Sequence, residues 1–156
     1  MGIDFDWIEE KVLLRKLDAD EKALLGSLVE VSEYKAGEVI VAQGAPGGVL
    51  YLLRSGKADI ECDTNGAKIR VGTAGERSMF GEMTFLTGDA ATATVTARED
   101  CIVYSLTRIA FSELMVKDQD MVYELFAHML INAASIIRHM NEEHVAMLQY
   151  ITGRRL

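Results

Sequence analysis

The sequence predicts a mostly β fold with flanking helices: a double-stranded β-helix, or jelly roll, of about eight strands, with short N-terminal helices and a long C-terminal helix. Runs of five to eight β-forming residues recur between residues 29 and 106. Ten of the 13 glycines fall between Gly37 and Gly88, where turns between such strands would lie. Beyond residue 106, apolar residues recur at helical spacing instead.

The helix and strand boundaries follow from local signals. Asp18, with Glu21 three positions later and leucines beyond, predicts the start of a helix that ends the N-terminal helical region, residues 1–28. Asn65-Gly66, between two β-rich runs, predicts a hairpin because a tight primed turn needs positive φ. The predicted strands are VEVSEY, EVIVA, VLYLLR, KADIEC, KIRVG, TATVTA and CIVYSL.

The C-terminal segment predicts a brief helix that ends near 117–120, followed by one long helix to about residue 150. Part of that helix carries apolar residues in a 3-4-3-4 pattern, which suits a helix pair. They are Phe126, Met129, Ala133, Ile136 and Met140. We therefore predict a homodimer formed through residues 121–150, while packing of this face within its own chain stays open as the alternative.

Composition restricts the class of protein. A chain of 156 residues with 49% hydrophobic residues suits one domain, 1–156, divided into helices at 1–28, strands at 29–107 and helices at 108–150. Its net charge of -8 disfavours nucleic acid as a partner. No apolar run is long enough for a membrane span. Cys62 and Cys101 lie in strand-like segments, so we expect reduced thiols and a cytoplasmic protein.

The segment 34–56, YKAGEVIVAQGAPGGVLYLLRSG, resembles the opening of the cyclic nucleotide-binding domain family. The spacing of Gly37, Gly44 and Gly56 carries the resemblance, which covers about residues 14–148. It implies a cupin-like β-roll of the catabolite activator protein type. Each of these glycines ends a β-rich run where the chain must turn, so their role is structural.

The segment 80–95, FGEMTFLTGDAATATV, resembles the phosphate-binding cassette of the same family, which we place at residues 80–93. The resemblance implies cyclic AMP or cyclic GMP as the small-molecule ligand. It also implies that Gly81 lets the backbone approach the sugar and that Glu82 accepts a hydrogen bond from the ribose 2′-hydroxyl. In the alternative, Glu82 is merely an acidic residue near a helix start. The candidate ligand-binding residues are Phe80, Gly81, Glu82, Met83, Ala91, Thr92 and Ala93.

The cassette departs from the family pattern at Ala91. Family members carry Pro-Arg-Ser or Pro-Arg-Thr where this chain has Ala90-Ala91-Thr92, so Ala91 replaces the arginine that pairs with the phosphate. A charge-assisted hydrogen bond is worth about 1.5–3 kcal/mol, so we expect weak binding or a less charged ligand. The Thr92 hydroxyl remains, and Arg77 is a candidate to supply the missing charge.

No sequence motif indicates an enzyme. His139 and His144 are five residues apart, about 140° out of alignment on a helix, so we predict no metal site there. Transcription regulators of the family carry a helix-turn-helix segment beyond the long helix, whereas this sequence stops at Leu156. We expect a stand-alone sensor that acts on another effector protein. The alternative hypothesis is a ligand-independent interaction or scaffold domain with a degenerate pocket.

Overall fold

Two antiparallel sheets of four strands each form the body of the protein, which we describe for residues 2–153 from a computed structural model. The strands are β1 (Val29–Tyr34), β2 (Val39–Val41), β3 (Val49–Ser55), β4 (Ala58–Thr64), β5 (Ala67–Ala74), β6 (Met79–Phe80), β7 (Thr94–Ala97) and β8 (Cys101–Thr107). One sheet has the order β1-β8-β3-β6 and the other β2-β7-β4-β5, so strands distant in sequence are neighbours. The predicted jelly roll is confirmed.

Helices precede, interrupt and follow the strands. Residues 9–13 form a π-helical segment that continues the first helix directly, and Leu14 ends it with a φ of 58°. The sequence predicted helices in this region without distinguishing the π-helical turn. The α-helices are α1 (Phe5–Ile8), α2 (Ala19–Leu28), α3 (Glu82–Thr87), α4 (Arg108–Lys117) and α5 (Gln119–Thr152).

The β1-β8-β3-β6 sheet is buried on both faces. On β3, Leu53 contributes to the core between the two sheets, whereas Leu50 and Leu52 pack against the helices. On β8, Val103 and Tyr104 divide in the same way. A strand covered on both faces needs apolar residues at consecutive positions, and this explains the unbroken apolar run of β3 in the sequence.

The β2-β7-β4-β5 sheet has its inner face in the core and its outer face in solvent. Its small and apolar inner residues include Ile40, Ala58 and Val95. The predicted hairpin joins β4 to β5, where Asn65 and Gly66 take φ values of 55° and 83°. Both residues thus adopt the left-handed conformation that the Asn-Gly pair predicted.

The predicted helix boundaries are confirmed at their caps. The Asp18 carboxylate accepts a hydrogen bond from the Glu21 amide at 2.8 Å, and the Glu21 carboxylate accepts one from the Asp18 amide at 2.8 Å. This reciprocal pair forms the capping box of α2. At the other end of the chain, the Asp118 carboxylate accepts from the Met121 amide at 2.9 Å and separates α5 from α4.

The long helix α5 divides into a packed half and an exposed half. Met121 and Met129 are buried in the core, and Phe126 packs edge-on against Phe111 with ring centroids 5.3 Å apart. Two members of the predicted 3-4-3-4 stripe, Phe126 and Met129, therefore pack against other residues of this chain. Every residue from 134 to 148 is exposed.

The carboxylate of Glu9 is buried among the N-terminal helices, with only 3% of the residue exposed. It accepts hydrogen bonds from Lys16 Nζ at 2.6 Å and from the Leu17 amide at 3.0 Å, and it lies 2.8 Å from Lys22 Nζ. The hydrogen bond from Lys16, followed by that from Lys22, lowers the pKa of Glu9 from 4.5 to about 2. The buried charge is thereby matched by cations from two neighbouring segments.

We predict that Glu9→Gln lowers the free energy of unfolding at neutral pH and reduces acid sensitivity. The folded-state pKa is depressed, so the stabilisation is present above pH 4.5 and is lost as the pH falls towards 2. The deficit of the variant should therefore shrink with acidification, as measured by urea denaturation across this pH range. The exposed Glu142→Gln serves as the control. Parallel pH profiles for Glu9→Gln and the wild type would contradict the prediction.

Candidate ligand-binding site

The segment 80–93 begins with a sharp turn into α3 at Gly81. Gly81 follows β6 directly and has a φ of 79°. A Cβ atom there would lie 2.7 Å from the carbonyl oxygen of Val49 and 3.0 Å from Cδ2 of Tyr51. Glycine is therefore required both by the backbone conformation and by the close approach to β3. Gly88, with a φ of 83°, ends the helix.

The carboxyl end of α3 is tied to the junction between β8 and α4. The Arg108 guanidinium donates from Nε to the Phe85 carbonyl oxygen at 3.0 Å, and its Nη2 donates to the same oxygen. The Phe85 ring packs edge-on against Phe111, with centroids 5.2 Å apart. Arg108 thus contacts the carboxyl end of α3. The family resemblance places the phosphate at the other, amino end of this helix.

The return from α3 to β7 is held by the connection between β2 and β3. The Ala91 amide donates to the Ala45 carbonyl oxygen at 2.8 Å, and the Ala91 carbonyl accepts from the Gly44 amide at 2.7 Å. Ala91 is buried. The β2–β3 connection therefore fixes one end of the cassette, and β3, which follows it, fixes the other through the tight contact at Gly81.

The first four candidate residues differ in what they present. Phe80 is buried, and its ring stacks on Tyr51 at 5.2 Å, so its side chain is part of the core. Gly81 offers only backbone. Glu82 is half-buried at the first position of α3. Met83 is 63% exposed. Glu82 is consequently the charged side chain that the start of α3 contributes.

The last three candidate residues contribute no charge. Ala91 is buried, Thr92 is exposed and Ala93 is half-buried. Gly81 lies against β3, and Ala91 is hydrogen-bonded to the connection between β2 and β3, so the two ends of the segment contact adjacent parts of the chain. Arg77, the candidate to replace the missing arginine, is exposed, and its carbonyl oxygen lies 3.2 Å from His128 Nε2 on α5.

Cys62 is a residue that the sequence analysis did not assign to the site. Its Sγ lies 3.5 Å from the Thr92 carbonyl oxygen, beside the end of the cassette. Cys62 shares the inner face of β4 with Ile60, which packs into the core between the sheets. In the sequence, the two-residue spacing between Cys62 and Ile60 indicates that both lie on the same face of β4. The contact of Cys62 with Thr92 depends on how β4 packs against the cassette, and no local pattern predicts that.

A polar groove of about 350 Å³ lies on the opposite face of the same sheet. Glu61 and Asp63 line it, and they alternate with Cys62 along β4. Because successive side chains of a strand point to opposite faces, this groove is separate from the cassette. Gln43 spans it through a pair of hydrogen bonds to the backbone of Asp63, of 2.7 and 3.3 Å.

The exposed half of α5 carries the two histidines that were considered as metal ligands. His139 and Glu143 form an exposed pair, with Nε2 and Oε1 3.3 Å apart, and His144 is also exposed. Among residues 2–153, no three histidine, cysteine or acidic side chains are placed to hold one metal ion. None of the helices described within residues 2–153 contains an apolar stretch of membrane-spanning length.

A jelly roll with a glycine-bounded short helix between two of its strands defines a class of ligand-sensing domains. The family model of the cyclic nucleotide-binding domain matches residues 31–118. The chain belongs to this family. It is also similar to the cAMP-dependent protein kinase regulatory subunit of Aspergillus niger, with 33% identity over 74% of this chain and 28% of the relative. The chain thus spans less than a third of that relative's length.

Solved structures give the same classification. A cyclic nucleotide-binding domain from Methylobacillus flagellatus aligns with a TM-score of 0.80 at 20% identity, over 92% of this chain and 83% of the other, which supports the fold. A mutant regulatory subunit of a cAMP-independent protein kinase A from Trypanosoma brucei, bound to cyclic AMP, aligns at 26% identity with a TM-score of 0.61. That alignment covers 76% of this chain and 44% of the kinase subunit.

We predict that the native protein has one rapidly reacting thiol, that of Cys62. Cys101 is buried, and burial raises the pKa of its thiol, so both access and thiolate formation are hindered there. Titration with a chromophoric disulfide should give one fast equivalent natively and a second after denaturation. Cys62→Ser should remove the fast equivalent and Cys101→Ser should retain it. A fast phase that survives Cys62→Ser would show that the assignment is wrong.

Proposed function

We propose that this chain is a non-catalytic regulatory domain that binds a cyclic nucleotide, or a related small ligand, weakly at the cassette. The observation that supports this best is the backbone arrangement between Gly81 and Ala91, on a chain that belongs to the family. Both ends of the segment are fixed by contacts that do not require the absent arginine. The free thiols of Cys62 and Cys101 suit a reducing, cytoplasmic environment.

The candidate residues of the cassette would contribute to the site to different degrees. Glu82, half-buried beside Gly81, would accept the hydrogen bond of a ribose hydroxyl, and Gly81 would allow the sugar to come close to the backbone. Met83 and Thr92 are exposed at the surface of the cassette. Phe80 and Ala93 contribute through their backbone positions. The site would therefore bind mainly through neutral groups and one acidic side chain.

Binding of the phosphate is weakened by two electrostatic features. Ala91 supplies no cation, and the chain as a whole carries a net charge of -8. Loss of one charge-assisted hydrogen bond corresponds to about one to two decades of affinity. The trypanosome relative supports the argument: it is described as cAMP-independent, and the variant bound to cyclic AMP has three substitutions, one of which replaces threonine by arginine.

We predict that Ala91→Arg strengthens binding of cyclic AMP or cyclic GMP about ten- to hundred-fold, as measured by titration calorimetry. The added guanidinium would pair with the phosphate, so the gain should shrink as salt is raised. Ala90→Arg, at the exposed neighbouring position, is the matched control for net charge.

Bound nucleotide should also slow alkylation of Cys62, which lies beside Thr92.

The same titrations decide between the proposal and a scaffold without a ligand. A ligand that binds only the folded state raises its melting temperature. If neither nucleotide shifts the melting temperature of the wild type or of Ala91→Arg, the pocket is closed and the proposal is wrong. Saturable binding by the wild type at micromolar or lower concentration would instead overturn the role given to Ala91.

We further propose that two copies of the chain associate through the exposed half of α5. An isolated helix of such length is marginal in water, so residues 134–152 would need a partner to stay helical. From residue 130 to residue 151, which includes the exposed half, residues at alternating spacings of three and four form one seam, and most are apolar. They are Leu130, Ala133, Ile137, Met140, His144, Met147 and Ile151. A seam of this kind matches a second copy of itself.

We predict a dimer in sedimentation equilibrium and its dissociation by Ile137→Glu. Ile137 lies in the seam and is 58% exposed in the single chain, so a charge there would be buried only in the dimer. Ser135→Glu introduces the same charge at an exposed position outside the seam and should leave the dimer intact. A monomeric wild type at micromolar concentration would contradict the proposed dimer.

The response to the ligand would pass to another protein. The relative from Aspergillus niger is a regulatory subunit of a cAMP-dependent protein kinase. We therefore propose that the domain, taken as one unit over residues 1–156, acts on an effector protein and not on DNA. The negative net charge supports a protein partner because it opposes the phosphate backbone of nucleic acid.

A further inference from the structure

Within residues 2–153, strand β6 lies at the edge of its sheet, with no strand on its outer side. The sheet order β1-β8-β3-β6 leaves β3 as its one strand partner. The side-chain amide of Asn132 occupies that outer side. Its Nδ2 donates to the Met79 carbonyl oxygen at 3.0 Å, and its Oδ1 accepts from the Met79 amide at 3.4 Å. Asn132 thus pairs with both backbone groups of one edge residue, as an adjacent strand would.

A second contact from α5 reaches the turn just before β6. His128 Nε2 lies 3.2 Å from the carbonyl oxygen of Arg77, which has a φ of 70°. A carbonyl oxygen can only accept, so the contact requires a proton on Nε2. His128 is buried and one helical turn before Asn132. The two side chains therefore hold residues 77–79 from the same face of α5.

The N-terminal helices hold the same turn. Trp7 Nε1 donates to Glu76 Oε1 at 2.6 Å, and Trp7 itself is buried. The β5–β6 turn is consequently fixed by elements from both ends of the chain. It leads directly through Phe80 into Gly81, where the cassette begins.

We propose that Asn132 is a positioning residue for the ligand site: by pairing with Met79 it ties α5 to the start of the cassette. Movement of α5 away from the sheet would remove both partners of the Met79 backbone. Strand β6 is only two residues long, and on the side of β3 it is held by this short pairing and by backbone hydrogen bonds between Leu53 and the residues just before it. Asn132 supplies the hydrogen bonds on the opposite side. The contact is independent of the ligand, whereas its effect on affinity rests on the function proposed above.

The connection works in both directions. If the position of α5 alters the order of Gly81 and Glu82, then a ligand on the cassette must alter the stability of the α5 contact by the same free energy. A preorganised cassette also binds more tightly than one that must first be ordered. Asn132 would accordingly raise ligand affinity and relay occupancy to α5 through one pair of hydrogen bonds.

Hydrogen exchange of the ligand-free protein tests the inference directly. We expect Asn132→Ala to speed exchange of the amides of residues 79–85 about ten-fold, as loss of a hydrogen-bonded partner would do. Asn141→Ala, at an exposed asparagine of the same helix, should leave those amides unchanged. Asn132→Asp is nearly isosteric but cannot donate to the Met79 carbonyl when ionised. It should behave like Asn132→Ala, whereas a packing role predicts wild-type exchange.

A second measurement uses the Ala91→Arg background with cyclic AMP as the probe. Asn132→Ala should lower affinity about ten-fold, and Asn141→Ala should not. Nucleotide should slow exchange at residues 128–135 only while Asn132 is present. If no nucleotide binds in this background, the proposed function fails, and the ligand-free exchange still decides the role of Asn132. Equal cassette exchange in Asn132→Ala, Asn132→Asp and Asn141→Ala would overturn the inference.

Discussion

The burial of the β1-β8-β3-β6 sheet on both faces is the constraint on which the rest of the structure depends. A sheet with apolar residues on each side is stable only if both sides are covered. The second sheet covers one face, and helices from the two ends of the chain cover the other. This requirement brings α5 against the edge of the sheet, close to the cassette. The cassette and the long helix are neighbours because α3 and α5 both pack on the helical side of this sheet.

The candidate site at the cassette is formed largely by backbone and small residues. Gly81 is forced by the closeness of β3, and Ala91 is held by two hydrogen bonds from its backbone. These contacts are part of the folded backbone and do not depend on which side chain stands at position 91. In the proposed function, the chemistry of the ligand would be set by few groups, chiefly Glu82 and the residue at position 91. Fold and affinity are thus determined by different atoms of the same segment.

Local signals in the sequence were sufficient for most of the fold. The capping box at Asp18, the hairpin at Asn65 and the change of periodicity after residue 106 each rest on contacts within a few residues. Strand β6 was not among the predicted strands because two residues carry no periodic pattern. The cassette was predicted by family resemblance, since periodicity alone does not distinguish a six-residue helix from a loop.

The parts of the site that the sequence did not predict depend on long-range contacts. Cys62 meets Thr92 across 30 residues, and Asn132 meets Met79 across 53. Neither pair has a local signature, because a thiol on a strand or an amide on a helix suits many environments. The sequence also did not predict the division of α5 into a packed half and an exposed half. Phe126 and Ile137 look alike in a helical pattern, and only the extent of the body of the protein separates a core residue from an exposed one.

The exposed half of α5 has a consequence for how the protein would respond to dilution. Within the described residues, those from 134 to 148 are all exposed in a single chain, so little packing stabilises these helical turns. In the proposed dimer, separation of the two chains and melting of these turns would be one event. The helical content of the protein would then depend on its concentration. The folded fraction of this segment would follow the fraction of chains that are dimeric.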